Sequence, residues 1–218
     1  MKKLIIYLLL IAILLTLGIM GGCTIRNRSY VRKLIAAMAN DDEEEFDKLL
    51  KKVSRYNINS YDSGWLMRLI EEGNYTALQY ACQYGYIQYA EKLLEAGADP
   101  NTYSTSLICY PALIWAIRGS NCDKKYELVK LLLDYGADAN SVFRNGNYPA
   151  LWLAVFSARY ENYRDNLRLA KLLIEYGAKK ETTFLEDGKY ITVYESAVKE
   201  EKMAYFGWSL EEIDFLKP

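Results

Sequence analysis

Histidine is missing altogether from the 218 residues. That absence removes the Ser-His-Asp triad, the Cys-His dyad, the His-carboxylate iron site and every His-containing zinc site in one step. A surplus of charge is missing too: 27 Lys and Arg stand against 28 Asp and Glu, a formal charge of −1. With no Lys/Arg-rich run to compensate locally, the chain lacks the attraction by which nucleic-acid binders neutralise phosphates, and nucleic acid is not an expected partner. Paired carboxylates for acid/base work would need a cleft and raised pKa values, and nothing in the sequence singles out such a pair. No catalytic residue, cofactor, metal or small-molecule substrate is therefore expected. The length suits one domain.

What is present begins with Met1-Lys2-Lys3, a positive start, followed by 17 uncharged residues from Leu4 to Met20. This is the pattern of an export signal, with the apolar run as its hydrophobic region. The run ends in Met20-Gly21-Gly22-Cys23. That ending resembles the bacterial lipobox, although Met20 stands where the pattern usually has Leu. The resemblance implies cleavage before Cys23, lipidation of Cys23 and a chain tethered to a bacterial membrane on the periplasmic or outer side. An uncleaved N-terminal anchor is the alternative, since about 17 apolar residues lie at the lower limit for spanning. Both readings place residue 24 onward outside the cytoplasm, because the lysines hold the N-terminus inside. The expected organisation is a signal peptide over 1–22, a lipidated tether over 23–30 and a folded domain over 31–218. Removing residues 1–22 takes two lysines with it, leaving a mildly acidic domain of 25 basic and 28 acidic groups.

The domain repeats itself. Pro111-Ala-Leu-Ile-Trp-Ala-Ile117 is echoed by Pro149-Ala-Leu-Trp-Leu-Ala-Val155, each followed by a Leu-rich segment and Tyr-Gly-Ala. Each unit reads as a short helix opened by Thr76, Pro111, Pro149 or Thr192, then an amphipathic helix (Tyr89 to Glu95, Glu127 to Asp134, Leu167 to Glu175) closed by Gly97, Gly136 or Gly177. Ala81, Ala116, Ala154 and Ala197 share one slot at intervals of 35, 38 and 43 residues. The alanine lets neighbouring helices approach closely. No unit buries its apolar stripe alone, so stability comes from stacking.

The best copy, Thr76-Ala-Leu-Gln-Tyr-Ala-Cys82, then Gly85, Leu93-Leu94 and Gly97-Ala-Asp-Pro-Asn101, resembles the ankyrin repeat. The resemblance implies an all-α ankyrin-repeat solenoid of about five repeats, helix-turn-helix units with short hairpin fingers, clearest over 74–181. Degenerate caps are expected at Val31 to Asn59, with helices at Leu34 to Ala37 and Phe46 to Val53, and at Ile191 onward, where Leu210 to Leu216 is the closing helix. A connection holding Trp65 covers an edge or joins the interface. Where the family commonly places a histidine that ties neighbouring repeats, this chain carries Gln79, Ile114, Trp152 and Glu195, and only Gln79 could imitate it. Apolar packing should carry more of the array.

Twenty tyrosines make Tyr the informative residue. Tyr75, Tyr110 and Tyr148 each precede a first helix, in the slot that the resemblance places on the inner concave face, and should form a column. Tyr84 and Phe156 fall at exposed first-helix positions, while Tyr61, Tyr103 and Phe143 lie in the fingers. Tyr offers large rigid contact area at low entropy cost, so Tyr75, Tyr84, Tyr103, Tyr110, Phe143, Tyr148 and Phe156 are the expected contacts to a protein partner. A composition that simply fills surface with Tyr is the bland alternative.

Other features have structural readings. The acidic run Asp41 to Glu45 is a docking patch or, more simply, the start of a helix whose dipole favours carboxylates. Cys82 reads as a small buried hydrophobe. Cys109 and Cys122 bracket a helix and lie on the order of 15–20 Å apart, beyond disulfide reach. The turns between paired helices are lengthened around Asn121 to Lys125 and Ser157 to Asp165, and loops grown on one face often carry function or are cheaply tolerated. These readings suggest a non-enzymatic envelope lipoprotein that binds a protein through its concave face, in one version an immunity protein that holds an antibacterial effector. The alternatives are a scaffold or chaperone for an endogenous envelope protein and, in a different class, a carboxylate-dependent hydrolase.

Overall fold

Short helices follow one another in pairs. The computed structural model describes residues 30–53, 58–60, 75–103, 110–119, 124–143, 148–156 and 163–218. The segment expected to be an export signal, Cys23, Tyr61, the Trp65 segment, Cys109, Cys122 and most of both lengthened turns lie outside them. Helix α1 covers residues 30–39 and α2 Glu43–Leu50. Then come α3 (Ala77–Tyr84) with α4 (Ile87–Glu95), α5 (Ala112–Arg118) with α6 (Lys125–Asp134), and α7 (Ala150–Phe156) with α8 (Tyr163–Glu175). Strands β1 (Val142–Phe143) and β2 (Tyr148–Pro149) form one antiparallel finger, β3 (Thr183–Glu186) and β4 (Lys189–Thr192) another. Helices α9 (Val193–Ala197), α10 (Glu200–Phe206) and α11 (Leu210–Ile213), then a 3₁₀ turn over Asp214–Leu216, complete the chain. Among the described residues no helix is long and apolar enough to cross a membrane.

The sequence explains where the helices start and stop. Thr76 caps α3 through its hydroxyl while Gln79 reaches back to the Thr76 amide, and Thr192 with Glu195 repeats the arrangement at α9. Gly97, Gly136 and Gly177 take φ of 90°, 84° and 88°. In each case the following alanine amide returns to the leucine carbonyl five residues earlier, at 2.9 Å for all three, the closure that a left-handed residue permits. Asp187 and Gly188 both have positive φ, which is what a two-residue turn between right-twisted strands requires.

Packing between pairs is close. Ala81, Ala116, Ala154 and Ala197 are all buried, and α3 lies directly against α5, α5 against α7. A Cβ placed on Gly119 would stand 2.6 Å from the backbone oxygen of Gln83, so glycine is what lets the end of α5 touch the end of α3. Polar bonds set the register. Gln79 Nε2 donates to the carbonyls of Thr102 (2.7 Å) and Tyr110 (3.1 Å), so Gln79 does stand in for the missing histidine. On the outer turns, Asn59 Oδ1 accepts from the Asp99 amide at 2.9 Å, Asn101 from Asp138 at 2.8 Å, and Asn140 from Lys179 at 2.9 Å. Asn101 and Asn140 also donate to the carbonyls of Gly136 and Gly177. The next equivalent position is Glu181, where this ladder stops.

Two details differ from the sequence reading. The helix that pairs with α9 is α10, and Leu210 to Leu216, expected as the closing helix, forms α11 and a 3₁₀ turn beyond it. Helix α10 stops at Gly207, which takes a left-handed φ of 65°. The lengthened turns also end earlier than expected, since α6 starts at Lys125 and α8 at Tyr163. There Lys125 Nζ caps the Ile117 carbonyl at 2.6 Å and Asn166 Nδ2 that of Val155 at 3.4 Å, replacing the glycine cap that Gly85 gives α3. The acidic run follows its structural reading: Asp42 caps α2, Glu43 to Glu45 fill its first turn, and Glu43 and Asp47 both pair with Lys92 of α4 at 2.7 Å.

Candidate protein-binding face

Aromatic rings concentrate on the first helices and fingers. In the first cluster Tyr75 meets Tyr80 (6.4 Å between centroids) and Trp115 (4.9 Å), and Tyr80 meets Tyr84 (4.5 Å) and Tyr86 (6.4 Å). In the second, Tyr110 lies between Trp115 (5.5 Å) and Phe143 (4.9 Å). In the third, Tyr148 packs on Trp152 (4.4 Å) and Phe184 (5.4 Å), and Trp152 leads through Phe156 to the stacked pair Phe206 and Trp208. Helical spacing produces this chain of contacts: Tyr80 and Tyr84 are four apart on α3, Trp152 and Phe156 four apart on α7.

The expected contact residues divide by exposure. Tyr84 is 42% and Tyr103 46% exposed, whereas Tyr110 and Phe143 are each 6% exposed. Tyr75, Tyr148 and Phe156 are half-buried against the core. The column expected of Tyr75, Tyr110 and Tyr148 is corrected accordingly. Trp115 and Phe143 pack around Tyr110, so Tyr75 and Tyr110 are linked through the Trp115 ring, Tyr148 packs on Trp152 and Phe184, and Tyr110 and Phe143 act as packing rather than free surface. Sequence reasoning passed over Tyr80, Trp115, Trp152 and Arg118. Tyr80 and Trp115 stand one before a slot alanine, Trp152 two before and Arg118 two after; these offsets from Ala81, Ala116 and Ala154 were the signal that could have found them, because positions three and four apart meet on one helix edge.

Charge and polarity on this face are uneven. Arg118, half-buried at the end of α5, holds its guanidinium carbon 5.4 Å from the Tyr110 ring, 5.5 Å from Trp115 and 4.9 Å from Phe143. Lys202 lies 4.4 Å from the Phe156 ring and is paired with Glu186 at 2.5 Å. The indole nitrogens of Trp115, Trp152 and Trp208 and the Gln83 side-chain oxygen are buried without a hydrogen-bond partner among the described residues. Burial, then the neighbouring Tyr84 and Tyr86, raise the Tyr80 phenol above its usual range, so it remains a neutral donor. Burial also pushes the Cys82 thiol well up, as its reading as a small hydrophobe implies. Among the described residues no three His, Cys, Asp or Glu side chains gather where they could hold a metal.

This geometry is that of stacked helix pairs with a run of rings from Tyr84 to Phe143 and a further cluster from Tyr148 to Trp208. Residues 73–104 and 110–143 match the ankyrin repeat. An ankyrin repeat protein of Acanthamoeba polyphaga mimivirus is 29% identical over 122 residues, which cover 56% of this chain and 14% of that protein. The chain thus matches only a small part of that relative's length. The two matched segments hold α3 to α6, with Gln79, Trp115 and Arg118. Ankyrin repeats mediate binding of protein partners and suggest a protein interaction scaffold.

Proposed function

We propose that this protein is a non-enzymatic binding module that holds a protein partner on the aromatic edge of its first helices. The carrying observation is the exposed Tyr84, continuous through Tyr80 and Tyr75 with the Trp115 and Arg118 cluster of the next pair. Rigid aromatic area beside an arginine is the composition in which binding energy concentrates. The fold supplies no chemistry of its own, so function rests on this surface. The array consists of five units, α1/α2 through α9/α10, with α11 and the 3₁₀ turn closing the far end. The chain is a lipoprotein acylated at Cys23 and held at a bacterial envelope. Its role is immunity: it retains an incoming antibacterial effector at the membrane.

The test is capture from envelope extracts of the native cell and its competitors with the full chain tagged at its C-terminus. It is repeated with Tyr84→Ser and Tyr103→Ser, exposed positions outside the buried core. A stoichiometric partner lost in the double variant supports the aromatic edge, and a toxin-like partner supports immunity over an endogenous scaffold role. Undiminished capture would move the interface to the lengthened turns. Cys23→Ser should release the protein from the membrane fraction and abolish incorporation of labelled palmitate.

A further inference from the structure

The binding edge carries one charge that the fold itself does not use. Arg118 has three aromatic rings around its guanidinium, yet no carboxylate lies within ion-pair distance of it among the described residues. Lys202, a second cation among the described residues of this face, is neutralised by Glu186. Beside Arg118, Trp115 is 7% exposed and its indole N–H has no acceptor among the described residues. An unsatisfied buried donor costs on the order of 1–3 kcal/mol, and such a group in a folded protein calls for an explanation.

We propose that Arg118 is the anchoring site for a carboxylate, supplied by an Asp or Glu side chain of the protein partner, with the Trp115 indole N–H as a second donor. The inference rests on the binding-face reading and names what that face recognises. A guanidinium pressed against ring faces is partly stripped of water, which strengthens its pairing with an anion, and the rings hold its planar fork in one orientation. The fork matches the two oxygens of a carboxylate. A phosphate dianion would want a second cation, and the adjacent Lys125 ammonium is turned onto the Ile117 carbonyl. Tyr75 lies against Trp115 and continues through Tyr80 to the exposed Tyr84, which adds apolar area along the same edge. The occupant is therefore an acidic residue set among apolar ones, in a protein segment lying along the ends of α3 and α5.

The test selects random 12-residue peptides on the full-length chain held in detergent. Binders should be enriched in Asp and Glu, and a chosen binder should lose about tenfold or more in affinity for Arg118→Gln. Arg118→Lys should recover part of that loss, because it restores the charge without the fork. Selection on Arg118→Glu should turn the enrichment towards Lys and Arg. The Trp115 indole N–H resonance should move on adding the acidic peptide and stay in place with its Asp→Asn or Glu→Gln form. Thermal melts matching wild type show that the variants are folded. Peptides without acidic enrichment, or acidic peptides bound equally well by Arg118→Gln, would overturn the carboxylate site. If such neutral peptides are lost with Tyr84→Ser, the aromatic edge stands without it. Selection of no peptide at all would count against both.

Discussion

Gln79 shows how much one side chain can do in an array. Its amide caps its own helix and ties the next pair through two carbonyls, while only 1% of it is exposed. Gln79→Ala would leave the carbonyls of Thr102 and Tyr110 without that donor and should destabilise the protein by roughly 2–4 kcal/mol in urea titration. Gln79→His should recover most of it; a neutral outcome for alanine would mean that apolar packing alone sets the register. Gly119 is a second such residue, for a different reason. Its Cβ would meet backbone rather than a yielding side chain, so Gly119→Ala should cost about 1–3 kcal/mol through forced separation of α3 and α5. Gly136 has open space around it and only its φ of 84° to object, so Gly136→Ala should cost about 1 kcal/mol. Equal melting temperatures for the two variants would refute the close-approach argument.

At the scale of elements, the terminal finger is held by charge where the central pairs are held by shape. Glu186 on β3 receives Lys202 of α10 at 2.5 Å and lies 3.4 Å from Lys199, while Lys199 also reaches Asp187 in the turn. Burial would raise the Glu186 carboxyl, but hydrogen bonds from Lys202 and Ser196 and the nearby ammonium charges outweigh it and hold it below its ordinary value of 4.5. A carboxylate with a depressed folded pKa contributes stability that is complete above its unfolded pKa and disappears as pH falls through the folded one. Hydrogen exchange between about pH 6 and pH 3, corrected for intrinsic rates, should therefore show β3, β4 and α9 opening before α3 to α6. Glu186→Gln should flatten that difference; identical acid profiles for the variant and wild type would place the cause elsewhere.

Across the whole molecule, periodic features are legible in the sequence and singular ones are not. The alanine slot, the three glycine stops and the Gln79 bridge follow from residue type at a fixed offset, which the order of residues itself spells out. Helix α10 and the caps made by Lys125 and Asn166 do not, because they replace a repeated device at a position where the repeat has broken down. The candidate face is half legible. Tyr84 and Tyr103 stand exposed, but burial of Tyr110 depends on Phe143 arriving from the finger beyond α6 as well as on Trp115 of the helix it precedes, and no offset within one first helix encodes the former.

The same nearest-neighbour logic sets how the array should come apart. Asn140 ties the turn after α6 to the turn after α8 through Lys179 and Gly177, and Glu181 continues no further. In a stack whose stability is a sum of unit and interface terms, weakening one interface detaches what lies beyond it and spares what lies before. Asn140→Ala removes two bonds at an exposed junction and should weaken that interface by about 1–2 kcal/mol. In urea below the main transition, α7 to α11 should then exchange their amide hydrogens faster than in wild type, while α3 to α6 keep their protection. Asn101→Ala, one junction earlier, should extend the loss back to α5 and α6. A uniform loss of protection from either variant would instead mean a single cooperative core, in which the ladder only adds to a shared total.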